Sequence, residues 1–329
     1  MPQSRRRPER TMEINRLINT GRITLNVVED GTGPLIVLLH GFPETSYSWR
    51  HLLPVLASQG FRAVAPDQRG YGLSDRPSSV DDYTIAQLVD DVASLIQALG
   101  EEKAILVGHD WGAVVAWHMA LAYPAKVAGV AALSVPFVGH GSVPPLSAVR
   151  AIFGAGFYQI YFQRAAAARE LEADYARTFT RVLCGLSGDA PSVSSLVLPP
   201  GKKFLDICGP SPHTLPGWLS AEDIEHYTRI FTSTGFTTPL NWYRNMNTNW
   251  EIAKSWNTAV VSAPSILLVG DRDPIAQFYD VPRLASIMRD HVVDLRGVEV
   301  VTGAGHWIHQ ERQNEVERII TEFVLSISP

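Results

Sequence analysis

The sequence has little cysteine. Of its 329 residues only Cys184 and Cys208 are cysteines, which is too few for a disulfide framework. The two are also too far apart in the chain for the usual closely spaced zinc ligands. Free cysteines are typical of a reducing compartment, so we expect a cytoplasmic protein.

The sequence also lacks a basic excess and a long apolar run. It has 28 basic and 33 acidic side chains, a formal net charge of −5, so nucleic acid is an unexpected partner. The longest apolar stretch, Val127 to Val138, contains Gly129, Ser134 and Pro136 and is shorter than the roughly 20 residues of a membrane span. We therefore expect no membrane segment.

The first eleven residues carry four arginines and two prolines. Polar residues follow where a secretion signal would have its apolar run. We predict a disordered leader at residues 1–11.

After the leader, short apolar runs alternate with amphipathic stretches. Continuous apolar runs favour strands of a parallel sheet, and 3.6-residue periodicity favours helices. The chain therefore predicts an α/β protein with helices on both faces of the sheet. The predicted strands are Arg22–Val28, Leu35–Leu39, Phe61–Ala65, Ala104–Val107, Ala128–Ser134, Ile266–Val269 and Val298–Val301. The predicted helices are Tyr47–Ser58, Ile85–Leu99, Gly112–Leu121, Val281–Met288 and Glu311–Leu325.

The alternation stops in the middle of the chain. Residues 136–145 are rich in glycine, proline and serine, and residues 149–252 show helical stretches without a clear strand. We predict an α/β core at 12–137 and 256–329, with a helical cap at 138–255 inserted over the carboxyl ends of the strands. The proline-rich stretch 187–216 leaves open whether it covers the site.

An aspartate lies at a strand-to-helix elbow. Gly108 and Gly112 frame Asp110 between a predicted strand and a predicted helix, which is the glycine frame of a nucleophile elbow. An aspartate alkylated at an sp³ carbon forms an ester that water can cleave, whereas an alkylated serine would form a stable ether. Asp110 therefore predicts alkyl transfer from an epoxide or an alkyl halide.

A histidine and two aspartates follow later strands. His306 lies in a glycine-rich loop after the last predicted strand, where a base that activates water is expected. Asp271 and Asp273 follow the strand before it. Either could orient the imidazole, and we favour Asp273.

The loop from His40 to Glu44 follows the Leu35–Leu39 strand. Backbone N–H groups in such a loop, together with the one after the nucleophile, bind an oxyanion; we assign them to Phe42 and Trp111. We expect His40 to brace the loop. A cis peptide before Pro43 is left open.

Four segments together resemble the soluble epoxide hydrolases of the α/β-hydrolase fold, over almost the whole length from Asn15 to Ile327. They are His40–Glu44, Asp67–Gly72, Gly108–Gly112 and Gly305–Trp307. The resemblance implies a mostly parallel eight-stranded sheet and a helical cap. It also implies that Tyr158 and Tyr243, in two cap segments similar to the family's, grip the epoxide oxygen. In contrast, we expect Tyr161 to be a core residue.

The resemblance implies hydrolysis of a small-molecule epoxide by water to a vicinal diol. Asp110 would form a hydroxyalkyl ester, and His306 with Asp273 would activate the water that cleaves it. Glu44 would help to order that water. No metal or organic cofactor is required.

Two alternative functions and two further questions stay open. A haloalkane dehalogenase shares the core fold but usually has a polar side chain where Phe42 stands, although Trp111 could hold a halide. A non-catalytic ligand-binding protein would lack a member of the triad, and none is missing here. The chain could be a monomer or a homodimer, and its role could be detoxification or a step in making a natural product.

Overall fold

An eight-stranded sheet forms the centre of the molecule. The computed structural model describes residues 14–192 and 195–328. The strands lie in the order β1-β2-β4-β3-β5-β6-β7-β8, with β2 antiparallel to β1 and β4 and the other neighbouring pairs parallel. Their bounds are β1 Ile14–Asn19, β2 Thr24–Asp30, β3 Leu35–Leu39, β4 Arg62–Pro66, β5 Ala104–His109, β6 Val127–Leu133, β7 Ser265–Gly270 and β8 Leu295–Val301.

Helices occupy both faces of this sheet and the segment between β6 and β7. The α-helices are α1 Leu52–Ser58, α2 Ile85–Ala98, α3 Trp111–Ala122, α4 Pro145–Phe153, α5 Tyr158–Tyr161, α6 Ala165–Leu171, α7 Tyr175–Gly185, α8 Phe204–Ile207, α9 Ala221–Thr234, α10 Thr237–Arg244, α11 Met246–Ala253, α12 Val281–Arg289, α13 Ile308–Glu311 and α14 Gln313–Ile327. Short 3₁₀ helices span Ser46–Trp49, Val80–Tyr83, Pro124–Lys126, Lys254–Trp256 and Ala276–Phe278.

Alternate residues of each parallel strand face two separate cores. In β3, Ile36 and Leu38 pack in the core that contains α1 and α14. The other three residues of β3 pack in the core that contains α2, α3 and α12; they are Leu35, Val37 and Leu39. Because both faces are buried, the strand is apolar throughout, as the sequence pattern indicates. The predicted α/β-hydrolase architecture is confirmed.

Helices α4 to α11, which we call the cap, lie between β6 and β7 in the chain. Cap aromatic residues such as Phe162, Phe179 and Trp242 are fully buried and belong to the same hydrophobic core as α2 and α3. The cap also contacts the loops that follow the carboxyl ends of the strands, where the indole N–H of Trp242 donates to the carbonyl oxygen of Arg69 after β4. The predicted leader at 1–11 lies outside the described residues.

Two predicted helices were wrong in detail, and one strand was missed. The helix predicted at Tyr47–Ser58 is divided into a 3₁₀ turn and α1, because the Pro54 ring would clash with the carbonyl of Arg50 in a continuous helix. The helix predicted from Glu311 starts at Gln313 instead, since Arg312 has φ −124° and ψ 50°. Strand β1 was missed because it is an exposed edge strand without an apolar run. Within the described residues, no helix is both long and apolar enough to span a membrane.

Candidate active site

Asp110 stands at a tight turn between β5 and α3. Its backbone has φ 50° and ψ −118°, a strained conformation for a residue with a side chain. A Cβ on Gly108 would lie 2.3 Å from the carbonyl oxygen of Gly112, and a Cβ on Gly112 would lie 1.9 Å from that of Leu39. Only glycines allow this close approach, which places the Asp110 carboxylate at the carboxyl edge of the sheet and at the N-terminus of α3.

The two carboxylate oxygens of Asp110 face different groups. Oδ1 accepts a hydrogen bond of 2.9 Å from the N–H of Phe42, which follows β3 and precedes a cis peptide bond to Pro43. Trp111 is the first residue of α3, so its N–H has no partner within the helix. Oδ2 lies 3.7 Å from Nε2 of His306. One oxygen thus faces a backbone donor and the other faces the imidazole.

His306 lies in the loop between β8 and α13 and is buried. Its Nδ1 lies 3.2 and 3.3 Å from the two carboxylate oxygens of Asp273. Burial by itself lowers the pKa of His306, but the charge and hydrogen bond of Asp273 and the charge of Asp110 outweigh it and raise that pKa to about 9. For Asp273, burial by itself raises the pKa of the carboxyl group. His306 and a backbone N–H outweigh burial, so that pKa lies below its ordinary value.

The structure brings Asp273, and not Asp271, to the imidazole. Asp271 Oδ1 instead accepts a hydrogen bond of 2.7 Å from the N–H of Gly303 at an exposed position. Asp273 is held by a second contact, a hydrogen bond of 2.9 Å from the N–H of Ile275 to Oδ1. The geometry therefore favours Asp273 as the partner of His306.

Two cap tyrosines line the same cavity as Asp110. Tyr158 begins α5 and Tyr243 lies in α10, and their ring centroids are 6.1 Å apart. Burial, and next the charge of Asp110, raise the pKa of both hydroxyls, so both carry a proton that can be donated. Tyr161 donates its hydroxyl to Glu170 at 2.7 Å instead.

The cavity between these groups is small. Its volume is about 30 Å³, which is room for roughly two waters at most. Its walls include the apolar side chains of Phe162, Leu186, Leu196 and Phe204. A substrate therefore has to displace some of these side chains, and apolar groups fit the wall better than charged ones.

His40 is buried behind the Phe42 loop. Its Nδ1 lies 2.9 Å from the carbonyl oxygen of Gly41, and its Nε2 lies 3.0 Å from the N–H of Gln68. The Gln68 side-chain amide donates in turn to the His40 carbonyl. These contacts join the loop after β3 to the loop after β4.

Sequence reasoning missed His109, the residue before Asp110. Its Nδ1 lies 2.7 Å from Glu44 Oε2, and its Nε2 lies 2.8 Å from the carbonyl oxygen of His306. Glu44 also accepts from the amide of Gln310 at 2.9 Å, and the charge of His109 and its neighbours outweighs burial and lowers the pKa of Glu44 to about 2. The signal in the sequence that could have indicated His109 is its position inside the glycine frame of the elbow.

Glu44 and His109 also belong to a cluster that could hold a metal ion. His309 is the third member, and the three possible ligand atoms lie within 4.8 Å of one another. Neither ring nitrogen of His309 has a hydrogen-bond partner within the described part of the chain. Nδ1 of His109 and Oε2 of Glu44 already hydrogen-bond each other, so an ion bound there would replace that hydrogen bond.

Residues 34–184 match the model of the α/β hydrolase fold family. The chain is 42% identical over 318 residues to epoxide hydrolase A of Mycobacterium tuberculosis, covering 95% of this chain and 97% of that protein. It is 40% identical over 312 residues to epoxide hydrolase 3 of Siraitia grosvenorii, covering 93% and 96%. The crystal structure of epoxide hydrolase A from Mycobacterium thermoresistibile superposes with a TM-score of 0.89 at 42% identity, covering 95% and 98%.

The fold and the elbow at Asp110 define an α/β hydrolase. Within that class, the chain belongs to the epoxide hydrolase family, because it matches these relatives over nearly their whole length.

Proposed function

We propose that this protein hydrolyses epoxides to vicinal diols through a covalent ester on Asp110. The observation that carries the proposal is that a carboxylate, an imidazole and two phenols line the same cavity. These groups belong to Asp110, His306, Tyr158 and Tyr243. The family membership supports the reaction class. The geometry supports the assignment of a separate task to each of these groups.

In the first step, Asp110 attacks the less hindered ring carbon and the C–O bond of the ring breaks. The oxygen leaves as an alkoxide and needs a proton, which Tyr158 or Tyr243 donates while both hydrogen-bond the oxygen. The result is a hydroxyalkyl ester of Asp110. Esterification removes the negative charge of Asp110, which is one cause of the raised pKa of both phenols and of His306.

In the second step, His306 takes a proton from water, and the oxygen of that water attacks Cγ of the ester. Asp273 holds the imidazole through Nδ1 and stabilises the imidazolium that forms. The N–H groups of Phe42 and Trp111 stabilise the oxyanion. When the tetrahedral intermediate collapses, the leaving alkoxide takes the proton from the His306 imidazolium and departs as the diol. The proton of the new Asp110 carboxylic acid returns to the phenolate, which regenerates the carboxylate and the phenol. Ordering of the water by Glu44 remains a prediction.

The test is the formation of diol from styrene oxide, followed by chromatography, for the wild type and for Asp110→Asn. Release of halide from a bromoalkane is measured in the same assay. We expect diol from the wild type, a loss of about 10³-fold or more in the variant, and no halide. Water labelled with ¹⁸O in a single turnover should place the label on Asp110 rather than on the diol, because water attacks Cγ.

Other outcomes would contradict the proposal. Halide without diol would indicate a dehalogenase and remove the role of the two tyrosines. Binding of epoxides without turnover would indicate a ligand-binding protein. Label in the diol after a single turnover would exclude the ester and favour direct attack of water on the epoxide.

A further inference from the structure

The carboxylate of Glu311 joins the loop that carries His306 to the cap. Glu311 is the last residue of α13 and is buried. Both of its carboxylate oxygens accept hydrogen bonds from the two segments. Oε2 accepts from the N–H of Gly188 at 2.7 Å, the N–H of Gly305 at 2.9 Å and the hydroxyl of Ser187 at 3.1 Å, and Oε1 accepts from the N–H of Trp307 at 2.9 Å.

The two segments that Glu311 joins meet backbone to backbone. The N–H of His306 donates to the carbonyl oxygen of Leu186 in the cap at 2.8 Å. A Cβ on Gly188 would lie 2.1 Å from the carbonyl oxygen of Gly303, and a Cβ on Gly305 would lie 2.1 Å from the nitrogen of Gly188. Contact this close buries N–H groups that need an acceptor, and the carboxylate of Glu311 supplies it.

The bonding pattern requires a carboxylate at this position. All four partners are donors, whereas a glutamine would turn its own NH₂ group toward one of the N–H groups. Burial raises the pKa of Glu311, and the hydrogen bonds from its four partners act against that shift. These bonds therefore stabilise the buried carboxylate.

We propose that Glu311 is a positioning residue for the second half of the reaction. It holds the His306 loop against the cap segment that begins at Leu186, so that the imidazole stays 3.7 Å from the Asp110 carboxylate. This inference rests on the proposed function, in which His306 acts only when the ester is hydrolysed. Formation of the ester depends on Asp110 and the cap tyrosines, so loss of Glu311 slows the second step more than the first.

The variant Glu311→Gln tests this, with Glu315→Gln as the matched control. Glu315 lies one turn further on, is exposed, and loses the same charge in the substitution. We expect Glu311→Gln to lower kcat about 10- to 100-fold, the effect of losing hydrogen bonds to a charged group. KM should fall in the same proportion, so that kcat/KM changes little, because the step after ester formation limits turnover. The control should match the wild type.

Two further measurements separate positioning from simple loss of structure. Intact-protein mass spectrometry after rapid quenching with styrene oxide should show the ester accumulating in Glu311→Gln and in the reference variant His306→Gln, but not in Glu315→Gln. Glu311→Asp, which keeps the carboxylate on a shorter side chain, should recover part of kcat. A lower kcat with unchanged KM and no accumulated ester would overturn the proposal, because it would indicate only a smaller fraction of folded enzyme.

Hydrogen exchange gives a readout that does not depend on turnover. The amides of Gly305, Trp307 and Gly188 should exchange at least about 10-fold faster in Glu311→Gln than in the wild type or in Glu315→Gln, since their carboxylate acceptor is lost. Unchanged exchange together with unchanged kcat and KM would refute the role of Glu311. If neither the wild type nor His306→Gln forms ester or diol, the proposed function fails, and the exchange rates alone decide whether Glu311 holds the loop.

Discussion

Oδ2 of Asp110 and Nε2 of His306 face each other across 3.7 Å. This distance exceeds a normal hydrogen bond, yet it is short enough for each charge to affect the other. Before reaction, the carboxylate helps to keep the imidazole protonated. In the ester that we propose, that charge is absent, so the pKa of His306 is lower and more of the imidazole is neutral and free to accept a proton from water. One contact therefore links the two half-reactions that we propose.

The first prediction concerns the pKa of His306. It should be about 9 in the wild type and should fall in Asp110→Asn, because the variant lacks one of the negative charges that stabilise the imidazolium. The measurement is an NMR titration of the His306 ring carbon between pH 5 and pH 11, chosen as roughly two units beyond the ordinary and the raised values. A pKa near the ordinary 6.5 in the wild type would contradict the geometry.

The same shift predicts a stability change with a defined sign. The folded-state pKa lies above the ordinary value of 6.5, so the folded protein binds the proton more tightly than the unfolded chain. This contribution to stability is fully present below pH 6.5 and is lost as the pH rises toward 9. The free energy of unfolding, measured with urea across this range, should fall less in Asp110→Asn than in the wild type.

The second prediction separates the two candidate acids. Asp273→Asn should lower kcat by about 10²- to 10⁴-fold, because the imidazole loses the group that orients it and stabilises its charge. Asp271→Asn should retain nearly the wild-type kcat, since Asp271 bonds only the N–H of Gly303 among the contacts described. Steady-state kinetics with styrene oxide measures both. Equal losses in the two variants would contradict the assignment.

The third prediction concerns the hydroxyls that face the substrate. Tyr158→Phe and Tyr243→Phe should each slow ester formation by about 10- to 100-fold, because each removes a hydrogen bond to an oxygen that becomes charged. The rate is measured by quenched-flow single turnovers. Tyr161→Phe is the control, since its hydroxyl bonds Glu170, and it should form the ester at the wild-type rate.

The fourth prediction concerns stability away from the site. Arg69 and Asp91 form a buried pair with two hydrogen bonds of 2.7 Å, and the carbonyl of Arg69 accepts the indole N–H of Trp242 in the cap at 3.1 Å. Asp91→Asn should lower the free energy of unfolding by about 3 kcal/mol, because it leaves the buried guanidinium without its counter-charge. Urea unfolding at neutral pH measures this.

An exposed ion pair provides the control for the fourth prediction. Arg318 and Glu322 lie 2.8 Å apart, with 58% and 64% of their side chains exposed. Glu322→Gln should cost less than about 1 kcal/mol, because solvent screens the pair. If both variants lost a comparable free energy of unfolding, burial would not explain the contribution of the Arg69 pair to stability.

Local patterns in the sequence were enough to predict much of the core. The apolar run of β5, the glycines around Asp110 and the start of α3 are neighbours in the chain, so their structure depends mainly on short-range sterics. The same reasoning missed β1, which is held by pairing with β2 rather than by an apolar pattern of its own. This reasoning also predicted one helix over the turn at Ser46–Trp49 and α1, because it gave helical periodicity more weight than the helix-breaking effect of Pro54.

Contacts between distant residues could not be read in this way. The sequence offered two aspartates for His306, and only the folded loops show that Asp273 contacts the imidazole. The hydrogen bonds of His109 and Glu311 depend on partners that lie far away in the chain, at Glu44 and at Gly188. The position of His109 in the glycine frame is a local signal, but it does not show which partner the imidazole meets.

The sequence by itself was enough to predict the chemistry that we propose: a carboxylate at a glycine-framed elbow predicts alkyl transfer, because the ester it forms can be hydrolysed. Only the tertiary structure decided which aspartate contacts His306, how far the imidazole lies from the Asp110 carboxylate, and how the cap meets the histidine loop. The physical reason is that side-chain reactivity belongs to the residue, whereas distance, burial and the charge of neighbours depend on segments that meet only when the chain has folded.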